Sequence, residues 1–174
     1  GNGSTTIPAI DNGSSDACGI QSRSLSQTDF DCGDVGGNTV TLTVTDVNSN
    51  VNTCNATVTV EDNVAPTALC QNVTVELDAN GEGSVTIPEI DNGSNDACGI
   101  LSLSLDEVNF GCDNVGSNTV TLKVWDKNGN SATCMSTVTV EDNIPPTAVC
   151  LNTTVEIQPN GLYTLQESDV YDDV

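Results

Sequence analysis

Histidine is absent from this 174-residue chain, and only Arg23, Lys123 and Lys127 carry positive charge. Without histidine, the commonest ligand of zinc and other transition metals is missing, and so is the usual general base. Aromatic residues make up 3% of the chain, with Trp125 the one tryptophan, so large side chains cannot fill one thick core. Several thin modules are expected instead. No two cysteines stand in a CxxC pair, which argues against a zinc ribbon or a redox motif. No signal peptide is visible and no apolar run is long enough to span a bilayer. An export address and an anchor are therefore expected outside this segment.

Acid is what the chain has in excess. Its 25 Asp and Glu residues set the net charge at −22. Such a chain repels nucleic acid and anionic membrane surfaces and attracts cations. Acidity with few aromatics can also signal disorder. Here, however, the 36% of hydrophobic residues are patterned. The eight cysteines, widely spaced, suit structural disulfides formed in an oxidising compartment.

Internal repetition is the dominant feature. Residues 7–20 read IPAIDNGSSDACGI and residues 87–100 read IPEIDNGSNDACGI, an offset of 80. Positions 1–70 and 81–150 agree at 45 of 70 places without a gap. Cys18, Cys32, Cys54 and Cys70 recur as Cys98, Cys112, Cys134 and Cys150, and EDNVAPTALC (61–70) recurs as EDNIPPTAVC (141–150). The proline-containing linkers divide the chain into a first repeat (1–64) that lacks its first strand, a complete second repeat (65–144), and the opening strands of a third (145–174). The segment thus reads as a window on a longer array.

Alternation of period two makes the repeats β-structure. In 118–125, NTVTLKVW, residues Val120, Leu122 and Val124 share one face and Thr119, Thr121 and Lys123 the other. TVTLTVT (39–45), TVTV (57–60, 137–140), NVTVEL (72–77) and SVTI (84–87) repeat the pattern with β-branched residues, and no stretch shows a helical period. Asn80-Gly81, Asn128-Gly129 and Asn160-Gly161 mark turns. Strands are predicted near 68–77, 83–87, 99–105, 108–112, 117–126 and 131–141. About six or seven strands per repeat predict an all-β fold of tandem immunoglobulin-like β-sandwiches, each of about 80 residues.

The block NGSxDACGI, the phrase NVGxNTVTLxVxD, the turn DxNxN and the linker VTVEDNxxPTAxC together resemble the hyalin-repeat (HYR-like) modules of giant Bacteroidetes surface proteins. The resemblance covers nearly all of the chain and weakens after about residue 162. It implies an extracellular, bacterial cell-surface location, export by the type IX secretion system, and an adhesive or filamentous role without catalysis, including the mobile adhesins of gliding bacteria. Neighbouring repeats of the same chain are the implied partners, with surface polysaccharide or other filament subunits beyond them. A glycan- or protein-binding module and an accessory array of a secreted carbohydrate-active enzyme are the rival readings. More repeats upstream and downstream would favour the stalk, and a catalytic or lectin domain would favour the rivals.

Four acidic or amide clusters are candidate calcium ligands. They are Asp91, Asn92 and Asp96 with their counterparts Asp11, Asn12 and Asp16; the turn Asp126-x-Asn128-x-Asn130 with Asp46, Asn48 and Asn50; the linkers Glu61-Asp62-Asn63 and Glu141-Asp142-Asn143; and Asp169 with Asp172 and Asp173. Alternate loops of a sandwich share a pole, so Asp62, Asn63, Asp91, Asp96, Asp126, Asn128 and Asn130 are expected to converge where the linker enters the second repeat. Calcium takes roughly six to eight oxygens in irregular geometry. The spacing DxNxN resembles the opening of an EF-hand loop but lacks its later glutamate, and Asp and Asn also cap turns without any metal. No serine or aspartate has a base beside it, so no nucleophile is assigned. The acid pair Glu61-Asp62 could serve a glycosidase, but its recurrence at each linker suits a joint better. Trp125, equivalent to Thr45, is expected on the outward face as a packing plug or a sugar contact. The sequons at Asn72 and Asn152 would matter only in a eukaryotic host.

In such a sandwich Cys70 opens the first strand and Cys134 lies early in the last, its neighbour, so Cys70–Cys134 is predicted. The remainder then pair as Cys98–Cys112 and Cys18–Cys32, with Cys54 and Cys150 bonded to cysteines outside the segment.

Overall fold

In the computed structural model, residues 1–150, 152, 154–157 and 159–164 are described. Residues Gly1–Asp142 form one compact unit and Asn143–Val174 a second. Strands dominate the first, and the described residues are all-β apart from single turns of helix.

The second repeat shows most clearly how the sequence folds. Strand β6 (Val73–Glu76) runs parallel to β11 (Ser131–Glu141), which pairs antiparallel with β10 (Gly116–Asp126), which in turn pairs with β8 (Ile100–Leu105). A two-stranded ribbon, β7 (Glu82–Ser84) against β9 (Asn109–Gly111), completes the repeat. Period-two alternation sends Val120, Leu122 and Val124 of β10 and Val138 and Val140 of β11 to one face, each no more than 1% exposed. There they meet Val75, Leu77, Val85, Ile90 and Phe110 in a single cluster. This core is aliphatic and thin, as the scarcity of aromatics requires.

Two short helices were not legible in the alternation. Residues Ile7–Ile10 (α1) and Ile87–Ile90 (α2) each form one helical turn with proline near the start, where its missing N–H costs nothing. In α2, Glu89 reaches back to the backbone N–H and hydroxyl of Thr86, at 2.7 and 2.8 Å. Ile90 at its end is fully buried. The turn at Asn80-Gly81 is as predicted: Asp78 accepts from the N–H of Asn80 and of Glu82, and Gly81 sits at a φ of 76°.

The first repeat carries the same elements at the 80-residue offset. β2 (Ile20–Leu25), β4 (Gly36–Asp46) and β5 (Val51–Val60) form a three-stranded sheet, and β1 (Gly3–Ser4) pairs with β3 (Asp29–Phe30). In the order β2-β4-β5, β5 is an edge strand, whereas its counterpart β11 is flanked by β6. Burial follows: Val58 and Val60 are only half-buried, and Val138 and Val140 are sealed.

The disulfides correct part of the expected scheme. Cys70–Cys134 is present, with the Cα atoms 5.8 Å apart. The expected Cys18–Cys32 and Cys98–Cys112 bridges are not. Cys32 is bonded instead to Cys98, Cα to Cα 5.1 Å, joining the first repeat to the second. The reason is topological. A Cys98–Cys112 bridge would need β8 and β9 to run as a hairpin, but β8 pairs with β10 and β9 with β7. The cysteine before β8 and the cysteine after β9 therefore diverge. Cys18, Cys54, Cys112 and Cys150 are free thiols, all exposed. Two disulfides fit an oxidising environment, extracellular or periplasmic. No helix among the described residues is long and apolar enough to cross a membrane.

Candidate functional site

The joint between the repeats is assembled from several components. Its first component is the short 3-10 turn Cys32–Asp34, which follows β3. Asp31 opens this turn by accepting from the N–H of Gly33 at 2.7 Å, and Asp34 answers by accepting from the N–H of Asp31 at 2.9 Å. The turn thereby presents Cys32 toward the next repeat. The second component is the DACG loop. Asp96 Oδ1 accepts from the N–H groups of Cys98 and Gly99, at 2.7 and 3.0 Å, an Asx-type turn that aims Cys98 at Cys32.

The linker is the third component. It passes along the loop 91–95, bonding backbone to backbone at Thr67 with Asn95, Leu69 with Asn92 and Gln71 with Ile90. Asn130 then clamps it from the far side. The amide of Asn130 donates to the carbonyl oxygens of Asp62 and Val64, at 3.0 and 3.3 Å, while holding Asp126 Oδ2 at 2.7 Å. A cleft of about 200 Å³ beside the bridge is lined by Gly1, Phe30, Cys32, Val60, Asp62 and Cys98 among others.

The expected acidic pole is partly assembled. Oxygens of Asp62 and Asp96 lie with Cys98 Sγ within 4.8 Å of one another. Asp62 Oδ1 accepts from the N–H of Val64 at 3.1 Å, but its Oδ2 is buried with no hydrogen-bond partner. Other candidates are spent on their own loops. Asp126 is completely buried and accepts from the N–H of Asn128 and of Asn130, both at 2.8 Å. Burial works against its charge, but the Asn130 amide and the backbone donors outweigh it and hold the carboxyl below the ordinary 3.8. Asp46 is held in the same way by Asn48 and Asn50, and the Asn50 amide is the main reason its pKa is lowered. Asp91 accepts from the N–H of Ser94, and Asn63 donates to Glu61.

At the far pole of the first repeat, Asp11 takes two bonds from Ser14 and a 2.7 Å ion pair from Arg23. Hydrogen bonds from Ser14, ahead of the Arg23 charge, keep its pKa low. Asp16 holds Cys18 and Gly19 as Asp96 holds Cys98 and Gly99. Asp16 also lines an open cleft with Asp46 and Asn50. Glu141 and Asp142 stand at the end of β11, and Asp169 lies outside the described residues. Trp125 is on the outward face, half-buried, with the Lys123 ammonium 4.5 Å from its ring centroid, a cation–π contact that covers the ring. Asn72 Oδ1 accepts from the N–H of Thr137, so the first sequon asparagine serves the sheet.

Two features of the joint escaped the reading of the sequence. The Asn130 clamp on the linker carbonyls has no signature beyond DxNxN itself. The Cys32–Cys98 bridge left no signal beyond the recurrence of its cysteines at the 80-residue offset. The chain matches no protein-family model and no curated protein sequence.

Proposed function

We propose that this chain is a length of stalk or filament from a large extracellular adhesin of a bacterial surface, built of immunoglobulin-like sandwich repeats whose role is to hold reach and direction. The observation that carries this reading is the Cys32–Cys98 bond, which ties one repeat to the next. A disulfide closing a loop of this length contributes about 4 kcal/mol in the chain-entropy model. Placed between modules, it limits their relative rotation. The Asn130 clamp does the same for the linker. One of the two disulfides and the Asn130 hydrogen bonds are spent on the joint, which suits a spacer better than a recognition surface. Catalysis has no part in the proposal. The recurrence of elements at the 80-residue offset suits an array in which each repeat leans on its neighbours.

Calcium belongs to the same proposal. Asp62 Oδ2, buried without a partner beside Asp96, is the kind of oxygen a hard cation completes. Cys98 contributes no thiolate, because it is disulfide-bonded. Asp62 and Asp96 would hold the ion, and its charge would relieve the repulsion between them. At a tenfold excess over its Kd, one ion contributes about 1.4 kcal/mol, less than the bridge does.

Small-angle scattering of the chain tests both parts. Cys98→Ser is expected to broaden the distribution of maximum dimensions, and EGTA to broaden it further, while circular dichroism stays that of folded sheet. A profile unchanged by Cys98→Ser would remove the stalk reading. A profile indifferent to EGTA, with no calcium heat in calorimetry, would remove the ion alone.

A further inference from the structure

The two lysines and the one tryptophan of this chain fall at alternate positions, Lys123, Trp125 and Lys127, in a molecule of net charge −22. The first repeat has Thr43, Thr45 and Val47 at the equivalent places and lacks the trio. Period two sends Lys123 and Trp125 to the outward face of β10, while Leu122, Val124 and Asp126 are buried on the other. Lys127 follows in the turn and lies across Gly99, where a Cβ would come within 3.2 Å of its ammonium. Both lysines are exposed, and among the described residues neither is paired with a carboxylate. The Lys123 ammonium instead rests 4.5 Å from the centre of the indole. The nearby acids are occupied. Asp106 accepts from the N–H of Thr121 at 2.7 Å, and Asp96 from those of Cys98 and Gly99.

Hydroxyls and an apolar residue surround the trio. Ser102 and Ser131 stand beside Trp125 on the two neighbouring strands, and Ser104 and Thr133 beside Lys123. The shift of register between Trp125 and Asp126 leaves Leu101 as a bulged residue, 66% exposed, where the first repeat has Gln21.

We propose that this face binds an acidic polysaccharide, a glycan chain with carboxylates on its sugar rings. Two ammonium groups without carboxylates of their own complement anionic groups spaced along such a chain. The indole and Leu101 offer a flat apolar surface to the C–H face of a pyranose, and the four hydroxyls can donate to its oxygens or accept from its hydroxyls. A sugar carboxylate that draws the Lys123 ammonium off the ring opens the indole to the sugar itself. An acidic peptide fits less well, because peptides add to a sheet at its edge, and β10 lies inside the order β6-β11-β10-β8. The net charge of −22 repels a polyanion from afar, but it is screened over about 10 Å at 0.1 M salt, so the contact is decided by the groups at the patch. The inference goes beyond the stalk reading and does not depend on it.

The test uses the full chain at about 0.15 M salt, with EGTA present so that no calcium bridges one carboxylate to another. Since Trp125 is the one tryptophan, its emission reads the site directly. Oligogalacturonate is expected to change that emission saturably, and its fully methyl-esterified, neutral form is not. Lys123→Gln/Lys127→Gln is expected to weaken binding about tenfold, and Lys123→Arg/Lys127→Arg to retain it, with circular dichroism unchanged in both. Trp125→Thr, which installs the side chain of the first repeat, is expected to weaken binding in calorimetry. Emission indifferent to oligogalacturonate, equal binding of the esterified form, or full binding by the glutamine variant would each overturn the proposal. Polyglutamate of equal charge binding as tightly would overturn it too, and would assign the face to acidic protein segments. None of these results bears on the scattering that tests the stalk.

Discussion

Asp126 shows how one residue type can satisfy two different expectations. Expected among the calcium ligands, it is completely buried and accepts hydrogen bonds from Asn128 and Asn130. Its pKa is lowered in the folded state, so it contributes stability that is present above the unfolded value near 3.8 and is lost as pH falls through the folded value. The midpoint of thermal unfolding is expected to hold steady from neutral pH to about 5 and to fall steeply below about 4. Asp126→Asn should lower the midpoint at neutral pH and flatten the acid fall. An acid limb identical to that of the unaltered chain would show that the carboxylate is not responsible. The residue types of the pole were thus legible, but their partners were not. Asp and Asn are common to turns and to metal sites, and only coordinates distinguish a carboxylate that feeds its own backbone from Asp62 Oδ2, which feeds nothing in the chain.

At the scale of elements, strand positions followed from alternation because period two has one solution when one face must be buried. β8, β10 and β11 lie where the pattern put them. The helical turns α1 and α2 did not show, since four residues are too few to display a period and their signal is only a proline at the start. Their burial differs, and that difference can be measured. Ile90 is sealed in the core, and Ile10, the same residue in the first repeat, is half-buried. Ile90→Ala is expected to cost about 2–5 kcal/mol and Ile10→Ala clearly less, as read from denaturant midpoints. Equal losses would mean that the first repeat's core is as closed as the second's. The pairing of β8 with β10 and of β9 with β7 was also hidden, because register alone does not say which sheet a strand joins, and the misassigned cysteines followed from that.

For the whole molecule the governing number is the net charge of −22. The ion pair of Arg23 with Asp11 offsets little of it. Self-repulsion at this density opposes compactness and is screened over about 10 Å at 0.1 M salt. Raising sodium chloride from low to molar concentration is therefore expected to raise the unfolding midpoint. Calorimetry that found a falling midpoint would place the stabilising electrostatics in attractive pairs instead.

The two bridges also interlace: Cys32 to Cys98 and Cys70 to Cys134 enclose overlapping stretches of chain. A pull applied to both ends would tighten the shortest covalent route. That route runs from Gly1 to Cys32, across to Cys98, backward to Cys70, across to Cys134 and onward. Strands β4 and β5 of the first repeat, and β8 and β10 of the second, lie off that line. They would remain slack while the sulfur atoms and the stretch 70–98, with β6 and β7 on it, carried the load, so a pull on the ends would strain one strand of a main sheet pair and spare its partner: β2 against β4, and β11 against β10.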